Sequence, residues 1–181
     1  IPVVILKVGR TTKSAQMAVS HTGAIAGNDA VYEAVFRAYG VHRVADMDEM
    51  AATLALFDTS RKPAPGQLGS IHDSGGEREL IVDIAEDYGI EFAALEPATC
   101  SALAAHLEPG LVAENPLDAF GTHNDLENRF AALIAALVND PNVGIGLFMS
   151  NPRDGYEYAE SYSRAVMKAA QMTDKPLALA S

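Results

Sequence analysis

Short, unbroken apolar runs alternate with helical patterns along most of this chain, and that alternation constrains its fold more than any other feature. It is clearest after residue 62. Gln67 to His72 reads as a strand, and Glu77 to Tyr88 as a helix with Leu80, Ile81, Ile84 and Tyr88 facing inward. Ile90 to Leu95 is a second strand. Pro97, placed where a helix has no use for its missing N–H, opens a helix to Leu107. The stretch Glu108 to His123 is irregular. Asn124 caps a helix to about Val138, Val143 to Met149 is a strand, Glu157 to Met172 a helix and Pro176 to Ala180 a last strand. Strands that are apolar throughout are buried on both faces. The pattern therefore predicts an α/β fold, a parallel sheet with helices on both sides and right-handed crossovers.

The first part of the chain follows the same logic with fewer strands. Pro2 to Val8 is an apolar strand, and a long loop follows it. Asn28-Asp29 caps a helix, Asp29 to Tyr39, that Gly40 stops. Val41 to Ala45 is a short strand. Asp46 and Glu49 then read as a capping box opening a helix to about Phe57, with Met50, Leu54 and Phe57 as core residues. Two strands fall short of the roughly five or six of a doubly wound domain, so this first domain is expected to be incomplete. The chain also begins without Met, inside a strand, as an excised piece would. Arg61 to Gly66 is basic and carries Pro63, Pro65 and Gly66, which reads as a linker. The expected domains are residues 1–62 and 63–181.

The chemistry-bearing stretch is Ala18-Val19-Ser20-His21-Thr22-Gly23-Ala24-Ile25-Ala26-Gly27. It places His21 in the loop between the carboxyl end of a strand and the next helix, where open α/β sheets bind ligands. Its small neighbours let backbone amides and a bulky group approach the imidazole. That setting favours a nucleophile or an acid/base; a histidine bonded to its own loop is the bland alternative. Arg10 and Lys13 are available to a phosphate, although solvated surface is the commoner fate of such cations.

In a 2-1-3-4-5 strand order the second domain opens its crevice between its first and third strands. Asp73-Ser74-Gly75-Gly76 and Ser150-Asn151-Pro152-Arg153-Asp154 converge there, with the Asn115 loop nearby. The amides of Ser74, Gly75 and Gly76 at a helix start suit an anion such as phosphate. Ser74-x-x-Glu77 is equally a capping box, in which Glu77 would satisfy those amides and repel an anion unless Arg78 turns inward. His42, His106 and His123 pair with no second histidine or cysteine at a metal spacing, so no metal is expected. His72 keeps a residual claim as a functional histidine. Glycine-rich dinucleotide, Walker and nucleophile-elbow motifs are absent from the sequence.

Ser20-His21-Thr22-Gly23-Ala24-Ile25-Ala26-Gly27-Asn28-Asp29-Ala30-Val31-Tyr32, preceded by Leu6-Lys7-Val8-Gly9-Arg10, closely resembles the NDP-forming acyl-CoA synthetases of the succinyl-CoA ligase-like superfamily. Asp73-Ser74-Gly75-Gly76 resembles that family's second glycine turn, and Asn115-Pro116-Leu117-Asp118 its Asn-Pro-Leu/Val-Asp motif. The resemblance implies flavodoxin-like domains and a reaction of a carboxylic acid, CoA and ATP or GTP to acyl-CoA, NDP and phosphate. It implies that His21 is phosphorylated in mid-reaction. Ser74, Gly75, Gly76, Asn115, Asp118 and Asn151 become candidate phosphate-binding residues. It further implies a CoA-binding domain and an ATP-grasp domain, fused or separate, that hold CoA and ATP with Mg. This piece alone is then expected to bind neither tightly and to be inactive. The chain departs from the pattern at Glu77, where the family more often has glycine-rich residues and no acid. The competing class is a non-catalytic binding or assembly module that keeps the fold.

Composition sharpens the partners. The 181 residues are 49% hydrophobic and carry a formal net charge of -11, which argues against nucleic acid and anionic membranes. No apolar run approaches the ~20 residues of a membrane span. The single cysteine, Cys100, fits a reducing cytoplasm and reads as a structural thiol. The unpaired sheet edge of the first domain makes a homo-oligomer the expected state of the isolated piece.

Overall fold

A computed structural model describes residues 1–23, 26–121, 124–151, 153–156 and 158–181, with the side chain of Thr22 left aside. It divides into two compact units, Ile1–Thr59 and Ser60–Ser181. Among the described residues, no helix is long and apolar enough to cross a membrane.

In the first unit β1 (Val4–Leu6) and β2 (His42–Val44) pair in parallel, Val4 opposite His42 and Leu6 opposite Val44. The apolar strands are shorter than the sequence suggests, because only these residues find a partner strand. Residues 9–27, expected as a loop, contain α1 (Thr12–Thr22). Its start is a reciprocal cap: Ser14 N–H donates to Thr11 Oγ1, and Thr11 N–H donates to Ser14 Oγ. Serine stands at the position where a capping box usually has Glu or Gln, which hides the signal. Ala15, Gln16, Met17 and Ala18 are good helix formers. Gly23, in the left-handed region at φ 70°, ends the helix by donating its N–H to Val19 O.

The next helix, α2 (Asp29–Tyr39), starts and stops where the sequence places it: Asn28 Oδ1 accepts from Ala30 N–H, and Gly40 closes it at φ 64°. In α3 (Met47–Phe57) Asp46 Oδ1 accepts from Glu49 N–H, and the Glu49 carboxylate accepts from Ala45 N–H. The expected core face of α3 is not buried. Leu54 is 51% exposed and Phe57 49% exposed, because a two-stranded sheet is too narrow to cover them. Phe36 and Val44 are the unit's buried apolar side chains among the described residues.

The second unit contains β3 (Gln67–His72), α4 (Gly75–Tyr88), α5 (Pro97–Ala104), β4 (Leu117–Asp118), α6 (Leu126–Val138), β5 (Val143–Met149), α7 (Ala159–Ala170) and β6 (Leu177–Ala180). Its sheet is parallel, in the order β4-β3-β5-β6. Ile90 to Leu95 does not form the expected strand. It contributes one bridge, Phe92 to Leu68, before Pro97 turns the chain into α5. The position beside β3 is thus shared, by Phe92 along one half and by β4 along the other. Asn115 fills the gap: its Oδ1 accepts from Ser70 N–H, and its Nδ2 donates to Leu68 O and Ala93 O, each at 2.9 Å. The Asn115–Pro116 peptide is cis.

The inward face of α4 also differs from expectation. Leu80, Ile84 and Tyr88 are 49%, 39% and 77% exposed, whereas Ala85 is buried and Ile81 half-buried. Two apolar stripes compete on this helix, and the small Ala85 lies on the one that packs on β3. The helix α5 stops at Ala104, where His106 N–H turns back to Leu103 O. Asn124 is not the cap of α6; Asp125 holds that place at φ 50°, its carboxylate taking Asn128 Nδ2 at 2.6 Å. Glu157, the expected start of the next helix, lies outside the described residues, and α7 runs from Ala159.

Ile71, Leu117, Phe130, Leu133, Phe148 and Tyr162 belong to the core between the sheet and the helices α6 and α7. Tyr162 meets Phe130 edge-on, ring centroids 4.9 Å apart. A side chain at Gly69 would strike Leu137, and one at Gly146 would strike Val138, so both glycines let α6 approach the sheet. The segment expected as a linker is pinned to this unit. Arg61 donates to Ala170 O at 2.5 Å, and Ala64 N–H to Gly144 O at 3.1 Å.

Candidate functional site

His21 lies in the last turn of α1, exposed, and not in a loop as expected. The correction has a chemical consequence. A helix C-terminus presents carbonyls, the negative end of the dipole, so α1 cannot itself stabilise an anion on His21. Any phosphoryl group there needs amides from another element. The loop beyond His21 returns to the end of β1, since a Cβ at Gly9 would lie 3.1 Å from Ala26 Cβ. The histidine motif therefore remains attached to the carboxyl end of the strand. Ala24 and Ile25 of that motif lie outside the described residues. Gly27 is required by its φ of 72° and by Tyr32, whose ring stands 2.9 Å from where its Cβ would be.

Charges fasten the first turns of α2, just after this loop, to the sheet. Arg43 on β2 grips Asp29 through two bonds, 2.8 and 3.0 Å, and Glu33 at 3.1 Å. The Arg43 guanidinium holds the Asp29 carboxyl below its ordinary value. Lys7 lies 3.8 Å from Asp29 and over the Tyr32 ring. Arg10, Thr11 and Thr12 line a groove of about 410 Å³ along α1 with Gly27 and Val19.

The second unit has the crevice that its strand order predicts. Asp73, Ser74 and Glu77, after β3, and Asn151, Arg153 and Tyr156, after β5, line one cavity of about 190 Å³. Pro152 of the second loop lies outside the described residues. Ser74 makes no side-chain cap at the start of α4. The first-turn amides, including those of Gly75 and Gly76, therefore receive no acceptor from Ser74. Asp118 is drawn in as well: its Oδ2 would sit 3.2 Å from a Cβ at Gly75, and its Oδ1 accepts from Phe120 N–H. Ser74, Gly75, Asp118 and Asn151 thus cluster at this end of the sheet. Asn115 does not join them, because both its amide hydrogens and its oxygen are engaged in the sheet.

Glu77 does not cap its own helix. Its carboxyl faces Asp73, and burial together with the neighbouring carboxylate pushes it up to about 7. Asp73 Oδ2 takes Ser150 Oγ at 3.3 Å. The buried Tyr162 hydroxyl behind Asp73 is pushed up by burial and then by that carboxylate. Arg78 turns to Glu114 at 2.6 Å. Arg153 stacks over Tyr156, 5.7 Å from its centroid, and is the cation lining the cavity. Sequence reasoning missed Tyr156 and Tyr162. The spacing of Tyr162, Ala165 and Ala169, all buried, was the legible sign that Tyr162 points inward.

His72 is 0% exposed and its Nε2 lies 2.7 Å from Ser70 Oγ. Burial brings it down to about 4, so it is neutral and out of reach of a phosphoryl donor. His42 starts β2, His106 lies in the turn after α5, and His123 lies outside the described residues. Among the described residues no three His, Cys, Asp or Glu side chains are grouped to hold a metal. Cys100 is half-buried on α5.

Residues 1–57 match the family model of a succinyl-CoA ligase like flavodoxin domain. The chain is 35% identical over 120 residues to an ADP-forming acetate–CoA ligase of Methanocaldococcus jannaschii, covering 66% of this chain and 17% of that protein. It is 32% identical over 144 residues to the alpha subunit of ADP-forming acetate–CoA ligase II of Pyrococcus furiosus, covering 80% of this chain and 31% of the relative. The chain thus spans less than a third of either relative. A solved structure of Candidatus Korarchaeum cryptofilum acetyl-coenzyme A synthetase 1, in complex with phosphate and ADP, shares the fold at a TM-score of 0.81. The match has 22% identity over 98% of this chain and 38% of that one. Sequence motifs, parallel sheets and these matches agree: the chain is similar over most of its length to ADP-forming acetate–CoA ligases, and its first 57 residues match the succinyl-CoA ligase like flavodoxin domain.

Proposed function

We propose that this chain is the phosphoryl-handling part of an enzyme that joins a small carboxylic acid to CoA at the expense of ATP, with His21 as the phosphocarrier. The exposed imidazole at the strand end of the succinyl-CoA ligase like unit carries the reading. A neutral imidazole nitrogen of His21 attacks the γ-phosphorus of ATP, the bond to the bridging oxygen breaks and ADP leaves. The substrate carboxylate takes the phosphoryl group from His21 as an acyl phosphate. The CoA thiol, giving up its proton, then attacks the acyl carbon and releases phosphate.

The cavity at the start of α4 is the anion subsite of this scheme, with Ser74, Gly75 and Gly76 offering amides and Asn151 and Arg153 offering side-chain donors. Asp118 stands beside Gly75. Its volume of about 190 Å³ suits a phosphoryl group or a small acid. CoA and ATP with its Mg are read as bound mainly by CoA-binding and ATP-grasp domains, as the family resemblance implies. The single cysteine and the substrates support a reducing, cytoplasmic setting for the enzyme. Replacing His21 by Asn in the complete enzyme should abolish acid-labile, base-stable labelling from γ-labelled ATP together with acyl-CoA formation. Undiminished labelling would move the phosphocarrier elsewhere.

A further inference from the structure

The cavity at the start of α4 holds a feature that anion binding does not need: two acids that face each other. Asp73 and Glu77 both line it, and one oxygen of each carboxyl, Asp73 Oδ1 and Glu77 Oε2, is buried without a hydrogen-bond partner. Two carboxylates so placed repel, and a shared proton both removes the repulsion and satisfies the oxygens. The surroundings supply little other relief. On β3, His72 is buried and neutral. On α4, Arg78 is tied to Glu114. Asp118, on β4, adds a further negative charge beside Gly75. From α7, Tyr162 offers a neutral hydroxyl, and Ser150 donates to the far oxygen of Asp73. Arg153, over Tyr156, is the cation that lines the cavity. With both acids ionised the cavity walls carry net negative charge, which opposes an anion.

We propose that Asp73 and Glu77 hold one proton between them, and that a tetrahedral dianion enters this cavity together with a proton that keeps Glu77 neutral. The inference rests on the reading that the cavity is the phosphoryl subsite. Protonation does two things at once: it removes a charge facing the anion, and it turns a Glu77 oxygen from an acceptor into a donor. The pair then makes occupancy of the site depend on pH near neutrality, since burial and Asp73 set Glu77 at about 7. An anion in the cavity raises the proton affinity of Glu77 further, so binding and proton uptake are linked.

Titration calorimetry of the 181-residue chain with sulfate tests this, because sulfate remains a dianion throughout the range used and phosphate does not. Between about pH 6 and about pH 8.5 the affinity should fall about tenfold or more. The binding enthalpy should change with the ionisation heat of the buffer, reporting proton uptake. In Glu77→Gln, which is permanently neutral, both effects should vanish and affinity should stay at the level the unaltered chain reaches at low pH. Asp73→Asn should likewise flatten the profile. Sulfate binding that is independent of pH and buffer in the unaltered chain would overturn the proton linkage and leave the anion subsite standing. A pH dependence unchanged in both variants would do the same. No sulfate binding at any pH, in the unaltered chain or either variant, would overturn the subsite and the linkage together.

Discussion

Glu77 keeps its proton into a pH range where an exposed glutamate has lost it. Its folded value of about 7 lies above the ordinary 4.5, so the folded chain binds more protons than the unfolded one between those limits. Stability contributed by this group is therefore lost as pH rises from about 4.5 to about 7. His72 acts in the opposite sense. Its folded value of about 4 lies below the ordinary 6.5, so its contribution is lost as pH falls through that window. The two slopes oppose each other over most of their range. Glu77→Gln should stabilise the chain by about 1–3 kcal/mol near pH 8, allowing for partial solvent screening. It should also expose the acid sensitivity that His72 confers, with stability rising from about pH 4 to about 6.5. Chemical denaturation across pH checks both; a variant whose profile follows that of the unaltered chain would show that Glu77 is not buried against Asp73. The role of Glu77 was only half legible. The Ser-x-x-Glu spacing suggested a cap, and nothing local shows that its carboxyl turns to Asp73 instead.

At the scale of elements, caps written within a few residues were readable and those supplied from afar were not. Asn28, Gly40, Asp46 and Pro97 sit where the sequence places them. The start of α5 is different: Glu96 N–H is met by Asp140 Oδ2, 44 positions along the chain, and the same carboxylate takes Asn142 N–H. Hydrogen bonds from Thr99, Asn142 and Glu96 outweigh burial and hold Asp140 below its ordinary value. Asn115 is the corresponding case in the sheet. Its motif suggested a turn residue near a ligand, whereas its side chain closes the seam between Phe92 and β4. Asn115→Ala would leave Ser70 N–H and the Ala93 carbonyl without the Asn115 side chain, while the Leu68 carbonyl would keep Ala93 N–H as its donor. A loss of about 2–4 kcal/mol in urea unfolding is expected, with the largest gain in hydrogen exchange at Ser70. A loss below about 0.5 kcal/mol would show that water replaces the side chain. The helix α1 escaped detection for a simpler reason: most of its side chains are exposed or half-buried, so it carries no apolar stripe for periodicity to find.

The whole molecule combines a second unit with a continuous core and a first unit that is short of one. The parallel alternation made the architecture of both legible, including the pairing of β1 with β2. Burial was not legible where the partner surface is narrow. Val31, Val35, Tyr39, Leu54, Leu56 and Phe57 are each at least 45% exposed within the first unit. Apolar surface of that extent, beside open strand edges, favours self-association. Light scattering of the 181-residue chain should show a dimer or larger species that grows with concentration. A monomer at high concentration would mean that these faces are covered within the chain. The central claim is that His21 carries the phosphoryl group, and mapping of the phosphorylated residue tests it most directly. The complete enzyme is mixed with γ-labelled ATP, quenched in base within the first turnover and digested. The account predicts an acid-labile, base-stable label on the peptide containing His21. A label confined to another peptide, or an enzyme that forms acyl-CoA with no labelled histidine, would contradict it.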